Sequence, residues 1–232
     1  MTARASTPVR RMTVAIAGHR WVLLLVLCGV LLPLLAFGLL AEGVWEREGF
    51  LWDTLLLRLA HGYATPTVDR FMIDVSTLGG ARGMVPLIVL ALITLLLRSR
   101  HKEALFMALA YGGAVLLNAL AKALFHSPQP HLWISPAPEQ GYGFPSGHAM
   151  SSLAALAALS ILAWPTRWRW PALILGGLVV ILVGVSRVYL GVHYPSDVVA
   201  AWAAALAWVV GVHLIMSRRG VRPRTPSAHS PA

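Results

Sequence analysis

The sequence predicts an all-α integral membrane protein: six transmembrane helices in one bundle, with a short amphipathic helix at the outer interface. Three observations predict it. Of 232 residues, 57% are hydrophobic and only 12% are charged, where a soluble domain carries about 25%. The apolar residues gather into runs near the roughly 20 residues that cross a bilayer. These runs show no strict alternation, so they read as helices rather than as barrel strands. The same composition argues against a soluble enzyme, a disordered chain and a disulfide scaffold. The single cysteine, Cys28, lies inside an apolar run, which leaves neither an intrachain disulfide nor a cysteine-based metal cluster.

Taken in order, the spans are Trp21–Ala41, about Ser76–Leu97, Ala104 to about Ala121, about Gly147–Trp164, Pro171 to about Val185, and Val198–Met216. The fifth is short and is expected to take in part of Ser186–Gly191. The first run follows Arg4, Arg10, Arg11 and Arg20, as the core of a secretory signal would. It is longer than such a core and no small-x-small cleavage site follows, so it reads as an uncleaved span. No internal repeat is visible. Between the first two spans, Glu42–Asp74 reads as an external segment. Within it Leu51, Trp52, Leu55, Leu56 and Leu59 share one helical face, with Asp53, Thr54, Arg58 and His61 opposite and Leu57 out of pattern. That is an amphipathic helix, lying in the interface or packed on the bundle.

The 19 Lys+Arg and 9 Asp+Glu leave a net charge of +10, which suits either nucleic acid or a membrane. Position decides. Residues 1–20, 98–103, 165–170 and 217–232 hold 13 of the positive charges and one acid, Glu103. By the positive-inside rule these segments, and so both termini, are cytoplasmic. Three regions follow: a cytoplasmic N-terminal segment 1–20, a six-helix membrane domain 21–216, and a basic, disordered tail 217–232. The charge is thus an orientation signal, and no basic-aromatic interleaving supports nucleic-acid binding. Trp21, Trp52, Trp164, Trp168 and Trp170 fall near span ends, as interfacial belts do.

Ionisable groups in spans are costly and ask for a function. Lys122 ends the third span, Gly143–His148 opens the fourth, and Ser186–Asp197 joins the fifth to the sixth. Charge counting places all three at the non-cytoplasmic end. Ser146 and Gly147 stand at a helix start, whose free N–H groups and dipole favour an anion. Lys122 and Arg187 add positive charge, and arginine grips phosphate in bidentate fashion. His193 and Asp197 are four apart and would share a helical face; the acid would fix one imidazole nitrogen and leave the other as nucleophile or base. His148 is a second imidazole, available as general acid. Together these make a phosphoryl-transfer site that needs no metal.

Pro145-Ser146-Gly147-His148 and Ser186-Arg187-x5-His193-x3-Asp197 resemble two of the three motifs of the type 2 phosphatidic acid phosphatase superfamily, membrane lipid phosphatases related to glucose-6-phosphatase and the vanadium haloperoxidases. The resemblance implies a haloperoxidase-like helical core. It implies His193 as the nucleophile that forms a phosphohistidine, Asp197 as its orienting partner, and His148 as proton donor to the leaving oxygen. Lys122, Arg187, Ser146 and Gly147 would hold the phosphoryl oxygens, with no cofactor. The substrate would be a lipid phosphate or diphosphate of the bilayer, such as undecaprenyl diphosphate, phosphatidic acid or phosphatidylglycerol phosphate. The resemblance also implies a bacterial inner membrane, with the site facing the periplasm or exterior.

The first motif, Lys-x6-Arg-Pro, departs. Lys122 and Pro130 are in place, but Gln129 stands where the family has arginine, and Ser127 where many members have another. Gln129 can still donate an N–H to a phosphate oxygen, without charge. Losing a charge-assisted bond there removes about 1–3 kcal/mol. Three outcomes are open: altered substrate preference, recruitment of another cation (Arg82, His126 or His131), or an impaired enzyme. Arg82 reads first as a partner of Asp74, and Asn118 as a helix-packing polar group rather than a ligand. Beside a hydrolase stand two other functions: a phosphotransferase that passes the phosphoryl group from His193 to another lipid, and a silent lipid-phosphate binder or transporter.

Overall fold

The computed structural model describes residues 22–47 and 49–218; the expected N-terminal segment and most of the expected tail lie outside them. The described residues form eight helices: α1 Val22–Trp45, α2 Leu51–His61, α3 Pro66–Gly79, α4 Ala81–Leu97, α5 His101–Phe125, α6 Gly147–Ala163, α7 Arg169–Tyr189 and α8 Pro195–Arg218. Within α1 one turn, Leu27–Leu31, is π-helical. Five segments are long and apolar enough to cross a membrane: Val22–Trp45, Pro66–Leu97, His101–Phe125, Arg169–Tyr189 and Pro195–Ser217. The chain is a membrane protein of all-α architecture.

The expected fourth span is present as α6 but has only 17 residues, about 25 Å of helix. It sits at the centre, packed against α3, α4, α5, α7 and α8. Its sequence explains that place. Ala149, Ser152, Ala154, Ala155, Ala158 and Ser160 are buried, and small residues let helix backbones approach where lipid gives no hydrophobic drive for association. Ala110 and Ala114 of α5 and Ala201 and Ala205 of α8 complete this core. Leucines on α1, α4, α5 and α7 point outward instead.

The second span differs from its expected bounds. Its apolar stretch runs from Pro66 to Leu97, 32 residues in two helices. Thr65 caps α3 by accepting the Val68 N–H at 3.3 Å, with Pro66 at the first helical position; this is a strong start signal. Asp69, Arg70 and Asp74 lowered the apparent hydropathy of α3, so residues 66–74 read as part of the external segment. The chain breaks at Gly80, which is extended.

The amphipathic helix exists as α2. Its outward face is the apolar one: Leu51 is 94% exposed, and Leu55, Leu56 and Leu59 are also exposed. It docks on α7 and α8 through the two residues buried on its other side, Leu57 and Asp53. Leu57, out of pattern in the sequence, is thus the core contact.

Helices α7 and α8 meet where the Trp202 indole lies over Gly184, and a Cβ on Gly184 would also come within 2.9 Å of Val198 Cγ1. Gly184→Val forces overpacking there, which costs about 1–3 kcal/mol. A lowered thermal midpoint of the purified protein in detergent, with Gly184→Ala intermediate, is the expected result.

Candidate active site

Four helix ends converge: the last turns of α5 (Lys122) and α7 (Arg187) and the first turns of α6 (His148) and α8 (Asp197). The antiparallel run of these helices puts all four at one end of the bundle, as charge counting expected.

The turn between α7 and α8 carries the nucleophile candidate. Gly191 has φ +70°, a left-handed conformation that favours glycine. A Cβ there would also lie 2.6 Å from the Trp133 indole, which itself stacks on His61 at 4.0 Å between ring centres. The turn closes with the N–H groups of Val192 and His193 both donating to the Arg187 carbonyl, at 3.3 and 3.4 Å. His193 is fully buried and Nδ1 is 3.4 Å from Asp197 Oδ2. The pair is not made along one helical face as expected. His193 precedes α8, and Asp197 in its first turn reaches back, accepting the Tyr194 N–H at 2.9 Å. Burial, reinforced by the Arg187 and Lys122 charges, holds the His193 imidazole well below the ordinary 6.5. Its Nε2 lies on the side away from Asp197.

The Pro145–His148 turn is stitched to the same place. Asn118 of α5 donates to the Pro145 carbonyl at 3.1 Å, and its Oδ1 lies beside Gly147. Asn118 is thus a packing polar group, as expected, but one that fixes the Pro145–His148 turn. The Ser146 N–H donates to the Asp197 carbonyl at 3.1 Å. This corrects one expectation: the Ser146 N–H is spent inside the protein, and the helix-start N–H groups left for an anion are those of Gly147 and His148. The Ser146 hydroxyl is buried with no partner, a polar atom available to a ligand. Gly80 backs His148: a Cβ there would lie 2.5 Å from Nε2.

Arg187 is 1% exposed. Its Nη1 donates to Ser76 of α3, and its Nη2 is 2.6 Å from Glu139 Oε2. Glu139, in the loop between α5 and α6, also sits 3.5 Å from His148 Nε2 through Oε1 and 4.0 Å from His193 Nε2. Burial works to raise its carboxyl, but Arg187 in front of it, with His148 and His193, holds it below the ordinary 4.5. Lys122 donates to the Tyr142 carbonyl at 2.5 Å. Gln129 is half-buried, its Cα against Gly143, whose backbone borders His193. Among the described residues no ion pair joins Arg82 to Asp74. Arg82, His126 and His131 are exposed, and His126 rests on the Tyr142 ring; none of the three joins the Arg187–His193 cluster. Among the described residues no set of three or more His, Cys, Asp or Glu is arranged to hold a metal ion.

Sequence reasoning passed over Glu139, Ser76 and Asp53. For Glu139 a signal was available: it is the single acid between Glu103 and Asp197. Asp53 of α2, expected opposite the leucines, is 5% exposed. It accepts the Ser196 N–H at 2.8 Å and the Ser196 hydroxyl at 2.6 Å, so a neighbouring helix caps α8 one residue before Asp197. Burial raises the Asp53 carboxyl, and the two Ser196 bonds oppose it. A cavity of about 600 Å³ lies beside this cap, lined by Trp45, Phe50, Asp53, Phe125, Tyr194 and Asp197 among others.

The PAP2 superfamily model matches residues 103–220. An undecaprenyl-diphosphatase of Sulfolobus acidocaldarius is 28% identical over 196 residues, 82% of this chain and 87% of the relative. Phosphatidylglycerophosphatase B of Bacillus subtilis is 29% identical over 180 residues, 74% of this chain and 87% of the relative. The crystal structure of a transmembrane PAP2 type phosphatidylglycerolphosphate phosphatase from Bacillus subtilis superposes with a TM-score of 0.75 at 24% identity, covering 84% of this chain and 98% of that one.

Asp53→Ala strands two Ser196 donors, and leaving buried groups unpaired costs about 1–3 kcal/mol. Paired with Ser196→Ala in a double-mutant cycle of thermal or denaturant stability, the two substitutions should be strongly non-additive. Additivity would mean that the Ser196 hydroxyl bond contributes nothing, since Ser196→Ala keeps the N–H bond.

Proposed function

Because the chain belongs to the PAP2 superfamily, we propose that it is a phosphatase of the PAP2 type that hydrolyses a lipid phosphate or diphosphate through a phosphohistidine on His193. One observation carries the reading. His193 is buried, with Nδ1 3.4 Å from Asp197 and Nε2 on the side of Glu139, which Arg187 and His148 also face.

In this mechanism Nε2 attacks phosphorus in line with the leaving oxygen. The P–N bond forms as the P–O bond to the lipid breaks, and His148 gives its proton to the departing oxygen. Asp197 balances the positive charge that His193 acquires. Arg187, Lys122 and the N–H groups of Gly147 and His148 take the phosphoryl oxygens, with the Ser146 hydroxyl beside them. Water then attacks phosphorus, the P–N bond breaks, and the water proton returns to His148. No step calls for a metal ion.

The names of the relatives point to polyprenyl diphosphates and glycerophospholipid monophosphates as substrate classes, and phosphatidic acid shares the terminal monoester. The charge pattern of the loops supports a site on the non-cytoplasmic face, with both termini inside. Transfer of the phosphoryl group to a second lipid uses the same first half-reaction, and labelled diphosphate substrate separates the two: labelled acceptor lipid or free phosphate.

The purified protein is expected to release phosphate from such lipids in the presence of EDTA. His193→Ala should abolish release while leaving the thermal midpoint near that of wild type. Activity that vanishes on chelation or survives the substitution overturns the mechanism. With the imidazole of His193 held well below 6.5, the acidic limb of the kcat/KM profile for this group lies below pH 6.5, since that profile reads the free enzyme. Gln129→Arg, which restores the family's cation, should lower KM for a lipid phosphate; an unchanged KM would place position 129 outside the binding site.

A further inference from the structure

Three atoms define where the phosphoryl group has to sit on this reading: Nη2 of Arg187, Nε2 of His148 and Nε2 of His193. Glu139 already stands among them, at 2.6, 3.5 and 4.0 Å. Phosphorus must come within about 3–3.5 Å of His193 Nε2 to react. A phosphoryl oxygen paired to Arg187 at that point would overlap the carboxylate.

Charge makes the conflict sharper. Lys122 and Arg187 face two carboxylates, Asp197 and Glu139, so the resting site is near neutral. The two positions where the family resemblance led one to expect arginine hold Gln129 and Ser127. Among the described residues no further cation is in place to hold Glu139 and a phosphate dianion together. Asp197 is committed to the Tyr194 N–H and to His193, whereas Glu139 has Arg187 as its close partner and is 29% exposed. Of the two acids it is the one that can leave.

The chain around it is built for that. Residues 134–142 form neither helix nor strand, and Ile134, Pro136, Pro138, Gln140 and Gly141 are exposed. Both flanks are fixed. Trp133 is stacked on His61, Tyr142 accepts from Lys122, and the Gly143 N–H donates to the Ser127 carbonyl at 2.7 Å. Gly141, two residues after Glu139, has φ +105°.

We propose that Glu139 is a built-in competitor for the phosphoryl subsite, which a substrate enters only by exchanging places with it. The proposal rests on the phosphatase reading and adds a specificity rule to it. A phosphate monoester or diphosphate brings about two or more negative charges and outcompetes a single carboxylate on Arg187. A phosphodiester, the headgroup linkage of most bulk membrane lipids, brings one and does not. Glu139 keeps the site clear of the lipids that surround it.

The test uses the whole protein in mixed micelles, comparing wild type with Glu139→Gln and Glu139→Ala. KM for a lipid phosphate and the inhibition constant of inorganic phosphate should both fall about tenfold, because a ligand no longer pays for displacing an occupant. Phosphatidylcholine, a phosphodiester carried in the micelle, should become a measurable competitive inhibitor of the variants. A rise in KM, or a fall in kcat with both constants unchanged, overturns the proposal and makes Glu139 a partner of His148 instead. Thermal midpoints check that the variants fold, and Glu139→Asp, with a shorter reach, should fall between wild type and Ala. If wild type itself releases no phosphate, the phosphatase reading has failed. Calorimetric binding of inorganic phosphate, tighter in Glu139→Gln than in wild type, then still decides the exchange.

Discussion

A buried guanidinium is the constraint around which this end of the molecule is arranged. Arg187 is almost wholly removed from solvent, and an arginine cannot shed its charge to suit such a place. Each side of it therefore has to be met. Ser76 of α3 meets one nitrogen and Glu139 of the α5–α6 loop another, while the carbonyl of the same residue anchors the turn that carries His193. A charge buried without partners costs several kcal/mol, so the positions of α3, α7 and the loop are tied together by one side chain. Nη2 meets Glu139 as an ion pair, and Nε has neither a hydrogen bond nor an ion pair, which leaves it available to a ligand.

Close approach of backbones makes the arrangement possible. The central helix α6 is lined with alanine and serine, and its 17 residues start at the level of the site. With small residues at the contacts, five helices reach it and bring their ends within hydrogen-bonding range. The two sequence segments that carry most of the chemistry are joined by main chain as well as by side chain, through the Ser146 N–H and the Asp197 carbonyl. This bond holds His148 and His193 in fixed relation before any substrate arrives.

Much of this was legible in the sequence. The apolar runs located five of the crossing segments and the short sixth helix. Counting charges by loop brought Lys122, His148, Arg187 and His193 to one end of the bundle. What escaped was whatever depends on contacts between distant segments. Helix α3 was hidden because Asp69, Arg70 and Asp74 mask its apolar side, and Asp69 turns out to accept from Tyr189 of α7 at 2.6 Å. Helical periodicity places Asp53 opposite the leucines but does not say which face docks, and the Asp53 side is the one that does. Glu139 had no motif around it. Only the folded chain shows that it lies against Arg187, 48 residues further on.

The short helix α2 has two faces of opposite character. Its leucines look outward, and the aspartate on its back holds the first turn of α8, next to Asp197. The surroundings of the protein are thus mechanically joined to its reactive centre through two hydrogen bonds. A displacement of those leucines would carry with it the helix whose Asp53 holds Ser196, the residue before Asp197.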